Sequence, residues 1–139
     1  LCSRPRTEAK RWLTGPMALE HDKARARGTA AEWLATAWLA GKGYRILARQ
    51  FRAHGGELDI VALTPFWTKR TIVFVEVRAR GTVEQALESV GAVKRRRVQT
   101  AAAQFCTRKP KLGVLPRRFD LVLLAPGRWP QHMTDAWKP

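Results

Sequence analysis

Thr71 to Arg80 constrain the fold more than any other segment, because they form the clearest strand in the chain. Val73, Val75 and Val77 alternate with Phe74, Glu76 and Arg78. Side chains two apart on a strand share a face, about 7 Å from one another. The valines therefore enter one layer, and Glu76 and Arg78 point together into the other. Around this strand the remaining elements can be placed in order. Asp22 to Lys42 carries Ala31, Leu34, Ala35, Trp38 and Leu39 as one apolar stripe at helical spacing, ended by Gly41 and Gly43. Tyr44 to Arg52 and Glu57 to Leu63 read as two strands joined by the turn His54-Gly55-Gly56, a hairpin in which the glycines are expected to supply positive φ. Pro65 to Arg70 is a loop. Val83 to Cys106 is helical with a possible break near Gly91, and Val98, Ala101, Ala102 and Phe105 face the core. Phe119 to Leu124 is a last short strand, and Ala125 to Pro139 reads as an irregular tail. The order helix, three strands, helix, strand predicts an α/β fold, a mixed central sheet flanked by helices.

At 139 residues and 45% hydrophobic content the chain suits one domain with a single core. Residues 1–21 are expected to be an N-terminal extension, residues 22–124 the domain and residues 125–139 the tail. Met17 opens a more conventional start than Leu1, so residues 1–16 are left out of the fold argument. Cys2 and Cys106 are too few and too distant for a disulfide framework or a zinc site, and His21, His54 and His132 show no ligand spacing. Neither a signal peptide nor a spanning run is visible, so a soluble, cytoplasmic chain with no membrane partner is expected.

The net charge is +15, and it remains +12 without the first 16 residues. Charge of that size on the body of the chain points to nucleic acid before other partners. A membrane-surface role would want a long basic amphipathic helix, which is not evident. Against this excess, Lys23 to Val83 holds four carboxylates, Glu32, Glu57, Asp59 and Glu76, among eleven Lys and Arg residues. If the strands bearing Glu57 and Asp59 on one side and Glu76 on the other are neighbours, Asp59 and Glu76 can converge on a hard cation, Mg²⁺ or Mn²⁺. Such an ion would polarise a phosphodiester and activate water. Glu32 borders the apolar stripe of its helix without a basic i±3 or i±4 neighbour, so it needs another cation; a metal or a sheet arginine would serve.

Gly28-Thr-Ala-Ala-Glu32, Gly56-Glu-Leu-Asp59-Ile-Val, Phe74-Val-Glu76-Val-Arg78-Ala-Arg80, and Ser89-Val90 followed by Lys94 together resemble the YraN family of bacterial proteins. That family is similar to Holliday-junction resolvases and shares the restriction-endonuclease-like fold. The resemblance spans about residues 22–124, and its ordered set of motifs is more specific than any one of them. It implies that Glu32, Asp59 and Glu76 are the helix acid, the central Asp and the Glu of a Glu-x-Lys element in a metal-dependent nuclease site. Arg78 stands where the usual Lys would be. Because an arginine stays protonated, it can clamp a phosphate but cannot act as a general base. Lys94, in line with Val98, can reach back toward the sheet, while Arg95, Arg96 and Arg97 fan around the other faces of their helix.

The sequence thus predicts a nucleic-acid-binding protein and a metal-dependent endonuclease acting on DNA, duplex or branched. Its catalytic set is Glu32, Asp59, Glu76, Arg78 and Lys94, with the metal on Asp59 and Glu76. Arg52, Arg78, Arg80 and Lys94 to Arg97 would contact nucleic acid. A homodimer would suit a symmetric branched substrate. The alternatives are a non-catalytic nucleic-acid-binding module on a nuclease scaffold, or a basic protein docking on an acidic partner. At the level of single residues, Asp59 and Glu76 could instead form an ion-pair ladder with Arg52, Arg78 or Arg80, and Arg117 or Arg118 would account for Asp120. Trp67 could stack on an unpaired base or pack on the sheet edge. Trp38 is expected in the core, and Trp129 and Trp137 carry no sequence reading.

Overall fold

The structure, a computed structural model, describes residues 30–79 and 82–138. The expected extension, the start of the first helix and Arg80 lie outside the described residues. Helix α1 is described over residues 30–41. Strands β1 (Arg45–Ala53), β2 (Gly56–Leu63) and β3 (Ile72–Arg78) follow, then helices α2 (Val83–Ser89), α3 (Ala92–Arg108) and the single turn α4 (Pro110–Gly113). Strands β4 (Arg117–Leu123) and β5 (Gln131–Met133) complete the chain. The five strands form one mixed sheet in the order β1-β2-β3-β4-β5, with β3 and β4 parallel and the other pairs antiparallel. This is the α/β arrangement expected of a restriction-endonuclease-like domain. None of the described helices is long and apolar enough to cross a membrane.

The sheet is covered on both faces, which is why β3 is apolar along most of its length. Leu58, Val61, Phe74, Phe119 and Leu121 pack under α2 and α3 with Ala86, Val98, Ala101 and Phe105. Ile60, Val73, Val75 and Val122 pack under α1 with Ala35 and Leu39. The buried ridge of α1 is a single i+4 row, Ala31, Ala35 and Leu39, whose small members bring the helix close to the sheet. Leu34, expected in that stripe, lies about 100° away around the helix and is exposed. Trp38 is half-buried and its ring lies 5.8 Å from that of Trp129. Gly43, at φ +95°, closes α1 and lets the Tyr44 N–H reach the Leu39 carbonyl at 3.1 Å.

The helical stretch breaks near Gly91, as expected, into α2 and α3, and Arg95 Nε donates to the Val90 carbonyl at 2.9 Å. The C-terminal segment, by contrast, is not irregular throughout: it contributes β5 and buries Trp137 against Phe119, with ring centroids 5.7 Å apart. Neither feature has a periodic signature. Three residues are too few to show alternation, and Trp137 is held by a ring on a different strand.

Candidate functional site

The β2–β3 ladder runs from Leu63 opposite Ile72 to Ile60 opposite Val75 and stops there. One step on, Asp59 leaves the ladder and its Oδ2 accepts the Val77 N–H at 2.9 Å. A side-chain carboxylate therefore replaces a backbone carbonyl, and the two strands part at that point. On the other side of β2, the pairs Arg49–Ile60 and Phe51–Leu58 bracket Gln50, which sits opposite Asp59 with φ +50°. A left-handed residue inside a strand turns the chain over. Accordingly Arg49 lies over the Trp33 ring of α1, whereas Phe51, two residues on, packs edge-on against Phe105 of α3. The expected common face for Glu57 and Asp59 does not survive this kink. Glu57 reaches Lys94 of α3 at 3.7 Å, and Asp59 is set between Glu32 of α1 and Glu76 of β3.

Glu32, Asp59 and Glu76 therefore meet where the strands open. Glu76 is 3% exposed. Burial, followed by the neighbouring Asp59 charge, pushes its carboxyl up to about 8. Lys94 Nζ at 3.5 Å and Arg78 Nη2 at 3.4 Å work in the opposite direction without cancelling that rise. Both distances exceed the roughly 2.7–2.9 Å of a tight charge-assisted hydrogen bond. Glu32 is also raised, by burial first and then by Asp59, although Gln50 Nε2 donates to its Oε2 at 2.6 Å. Asp59 thus acts on a partly desolvated carboxylate to either side, and such a group is short of positive charge.

The donor set is all oxygen and is built on two carboxylates from adjoining strands. Among the described residues no group of three or more His, Cys, Asp or Glu side chains is placed to hold a metal ion, so a site here would rest on two carboxylates. The chemistry fits Mg²⁺ or Mn²⁺, which accept one or two carboxylates and keep several waters, and it does not fit zinc. Asp59 and Glu76 would hold such an ion, with Glu32 beside them. The Nε of Arg78 is buried and has no hydrogen-bond partner among the described residues.

The expected basic residues separate into groups. Lys94 and Arg78 stand at the acids. Arg52 and Arg97 line a cavity of about 240 Å³ beside the hairpin turn, and Arg96 is exposed on α3. Arg95 is turned into the fold, bonded to Val90 and 5.8 Å from the Trp137 ring. Of the ion-pair ladder considered for Asp59 and Glu76, Arg78 is the only described member that forms a contact, and Arg52 makes no ion pair among the described residues. Gly55 has the expected positive φ of +82°, but Gly56 serves another purpose: a Cβ there would run into the Arg97 carbonyl oxygen. Asp120 is fully buried and is held by Arg118, as expected, at 2.8 and 2.7 Å, and also by His132 at 2.7 Å and the Asp135 N–H at 2.9 Å.

Sequence reasoning missed Gln50 and His132. The one available signal for Gln50 was an uncharged polar residue in the strand position that faces Asp59 across the hairpin.

Similarity to known proteins follows the same residues. The model of the family described as "Uncharacterised protein family UPF0102" matches residues 31–124, which span α1 to the end of β4 and so include all three acids. A UPF0102 protein of Maricaulis maris is 47% identical over 117 residues, covering 84% of this chain and 89% of the relative. One from Paramagnetospirillum magneticum is 42% identical over 129 residues, covering 90% and 97%. Another from Mesorhizobium japonicum is 44% identical over 115 residues, covering 83% and 89%. The YraN resemblance carried by Glu32, Asp59, Glu76 and Lys94 is thereby extended along nearly the whole chain, which belongs to the UPF0102 family.

Proposed function

We propose that this chain binds nucleic acid, DNA in the first instance, and hydrolyses a phosphodiester at the Glu32, Asp59 and Glu76 cluster with Mg²⁺ or Mn²⁺ bound there. The observation that carries the reading is Glu76, a buried strand carboxylate set against Asp59, whose proton affinity stays raised with two cations beside it. A divalent ion, when bound, supplies Lewis acidity toward a phosphoryl oxygen and lowers the pKa of its water.

The roles of the chain's own residues follow from their placement. Asp59 and Glu76 would hold the ion, and the Val77 N–H engages one of the two Asp59 carboxylate oxygens, leaving the other for the ion. Glu32, tethered by Gln50, positions water. Arg78, whose side chain is partly exposed beside Glu76, binds a phosphate oxygen through its guanidinium and, remaining protonated, stabilises charge without accepting a proton. Lys94, 3.7 Å from Glu57 and 3.5 Å from Glu76, adds a second positive charge beside the acids for a phosphate oxygen. A two-fold pair of such sites would match a branched duplex.

A non-catalytic nucleic-acid-binding module is the second reading, and Arg78 in place of a lysine favours it. Cleavage of duplex, flapped, branched and single-stranded DNA with Mn²⁺ or Mg²⁺ separates the two. The parent is expected to cut at least one substrate, Glu76→Ala none, and Arg78→Lys to cut faster. No cutting by any form, with metal-independent and steeply salt-dependent binding, would leave the binding module as the function.

A further inference from the structure

We infer that the end of the sheet opposite the acids is a second phosphate-binding surface, which holds a single-stranded nucleic-acid segment with its phosphates on both sides of the β2–β3 loop and a base on Trp67. The inference rests on the nucleic-acid reading above and adds where the strand is held. The loop lies about 15 Å from Asp59 and Glu76, at four or five residues of strand rise.

Two cavities, of about 390 and 460 Å³, flank this loop and share Thr64, Pro65 and Thr68. Lys42, Lys69 and Arg118 line one, Arg45 and Arg70 line the other, and among the described residues no acidic side chain lines either. Two of these cations are oriented in advance by the buried Asp120. Its carboxylate grips Arg118 in two hydrogen bonds, and Arg118 Nη2 also donates to the Tyr44 hydroxyl at 2.9 Å. On its other side His132 Nε2 lies 2.7 Å from Asp120. With that nitrogen donating its proton to the carboxylate, Nδ1 is the acceptor for Lys42 Nζ, also at 2.7 Å. Cations fixed in this way lose little freedom when an anion arrives.

Thr64 Oγ1 donates to the Lys69 carbonyl and accepts the Thr71 N–H, each at 2.9 Å, so the loop is bonded internally. Trp67 lies against Gly43, where any Cβ would strike the ring, yet it is 63% exposed, and Phe66 is 93% exposed. Paired basic cavities across one rigid aromatic loop suit a polymer with successive phosphates and π-faces better than a single small anion.

The test is binding of a labelled short single-stranded DNA in EDTA, so that cleavage plays no part. For the Lys42→Gln, Lys69→Gln double variant, the slope of log affinity against log salt is expected to fall by about 1.4, two contacts at about 0.7 each. Trp67→Ala is expected to weaken binding roughly tenfold with the slope unchanged. Parent-like binding by both variants overturns the inference, as does a parent that binds no single strand. A nucleoside monophosphate binding as tightly as the oligonucleotide also overturns it, because one anion would then suffice. Equal competition by polyglutamate overturns it in favour of an acidic protein partner. If Glu76→Ala abolishes cleavage while the lysine variant binds like the parent, the nuclease reading stands and this one falls.

Discussion

Glu76 combines burial with a second carboxyl at its side, and its titration follows from both. Its carboxyl sits at about 8 in the fold against an ordinary 4.5, raised by burial first and by Asp59 second. Between those values the native chain keeps a proton that the unfolded chain has released, so stability falls as pH rises through the window and levels off above it. For metal-free protein in EDTA, urea unfolding is expected to show a loss on the order of a few kcal/mol from pH 5 to pH 8. Glu76→Gln should flatten that slope and leave the protein more stable than the parent at pH 8. Asp120 behaves in the opposite sense. Burial acts to raise it, but the bonds from His132, Arg118 and the Asp135 N–H outweigh burial and lower it. Its stabilisation is present above the ordinary carboxylate range and is lost as pH falls below it. Asp120→Asn, which leaves Arg118 without its counter-charge, should cost about 3–5 kcal/mol in denaturant midpoint analysis. At this scale the sequence, through strand and helix spacing together with the family resemblance, brought Asp59, Glu76, Arg78 and Lys94 into one expected site, and Arg78 and Lys94 do lie at Glu76. It concealed Gln50, since residue identity does not announce a positive φ, and it concealed His132, whose partner Asp120 belongs to a different strand.

Elements contribute by how closely they approach one another. α3 runs over the hairpin turn with the Arg97 carbonyl on Gly56, and that contact fixes how far Lys94, earlier on the same helix, projects toward Glu76. Gly56→Ala must lift the helix or shift the turn, with an expected loss of about 1–3 kcal/mol in thermal unfolding. The proposed metal-dependent cleavage should fall along with it, whereas Gly41→Ala, which meets nothing among the described residues, should leave that cleavage unaffected. Helices α1 to α3 and the first four strands were legible because each is long enough to display its period, whereas the single turn α4 is not. The parting of β2 from β3 was not. It depends on Asp59 and Gln50 acting together across the hairpin, and each strand alone reads as unbroken.

For the molecule as a whole, the net charge of +15 is the property nucleic acid would sense first. If six to ten phosphates are contacted, affinity for duplex DNA measured by anisotropy should drop roughly 10³- to 10⁵-fold between 50 and 200 mM salt. A salt response corresponding to only one or two contacts would mean that most of this charge serves something else. The fifth strand has a different bearing on how the protein can be handled. The region shared with the family model ends at residue 124, whereas the partner of Leu121 to Leu123 lies at Gln131 to Met133, and Trp137 beyond it closes over Phe119. A version trimmed to the shared region would leave a bare, strongly apolar ribbon along β4 and strip His132 from Asp120, inviting copies to zip together edge to edge.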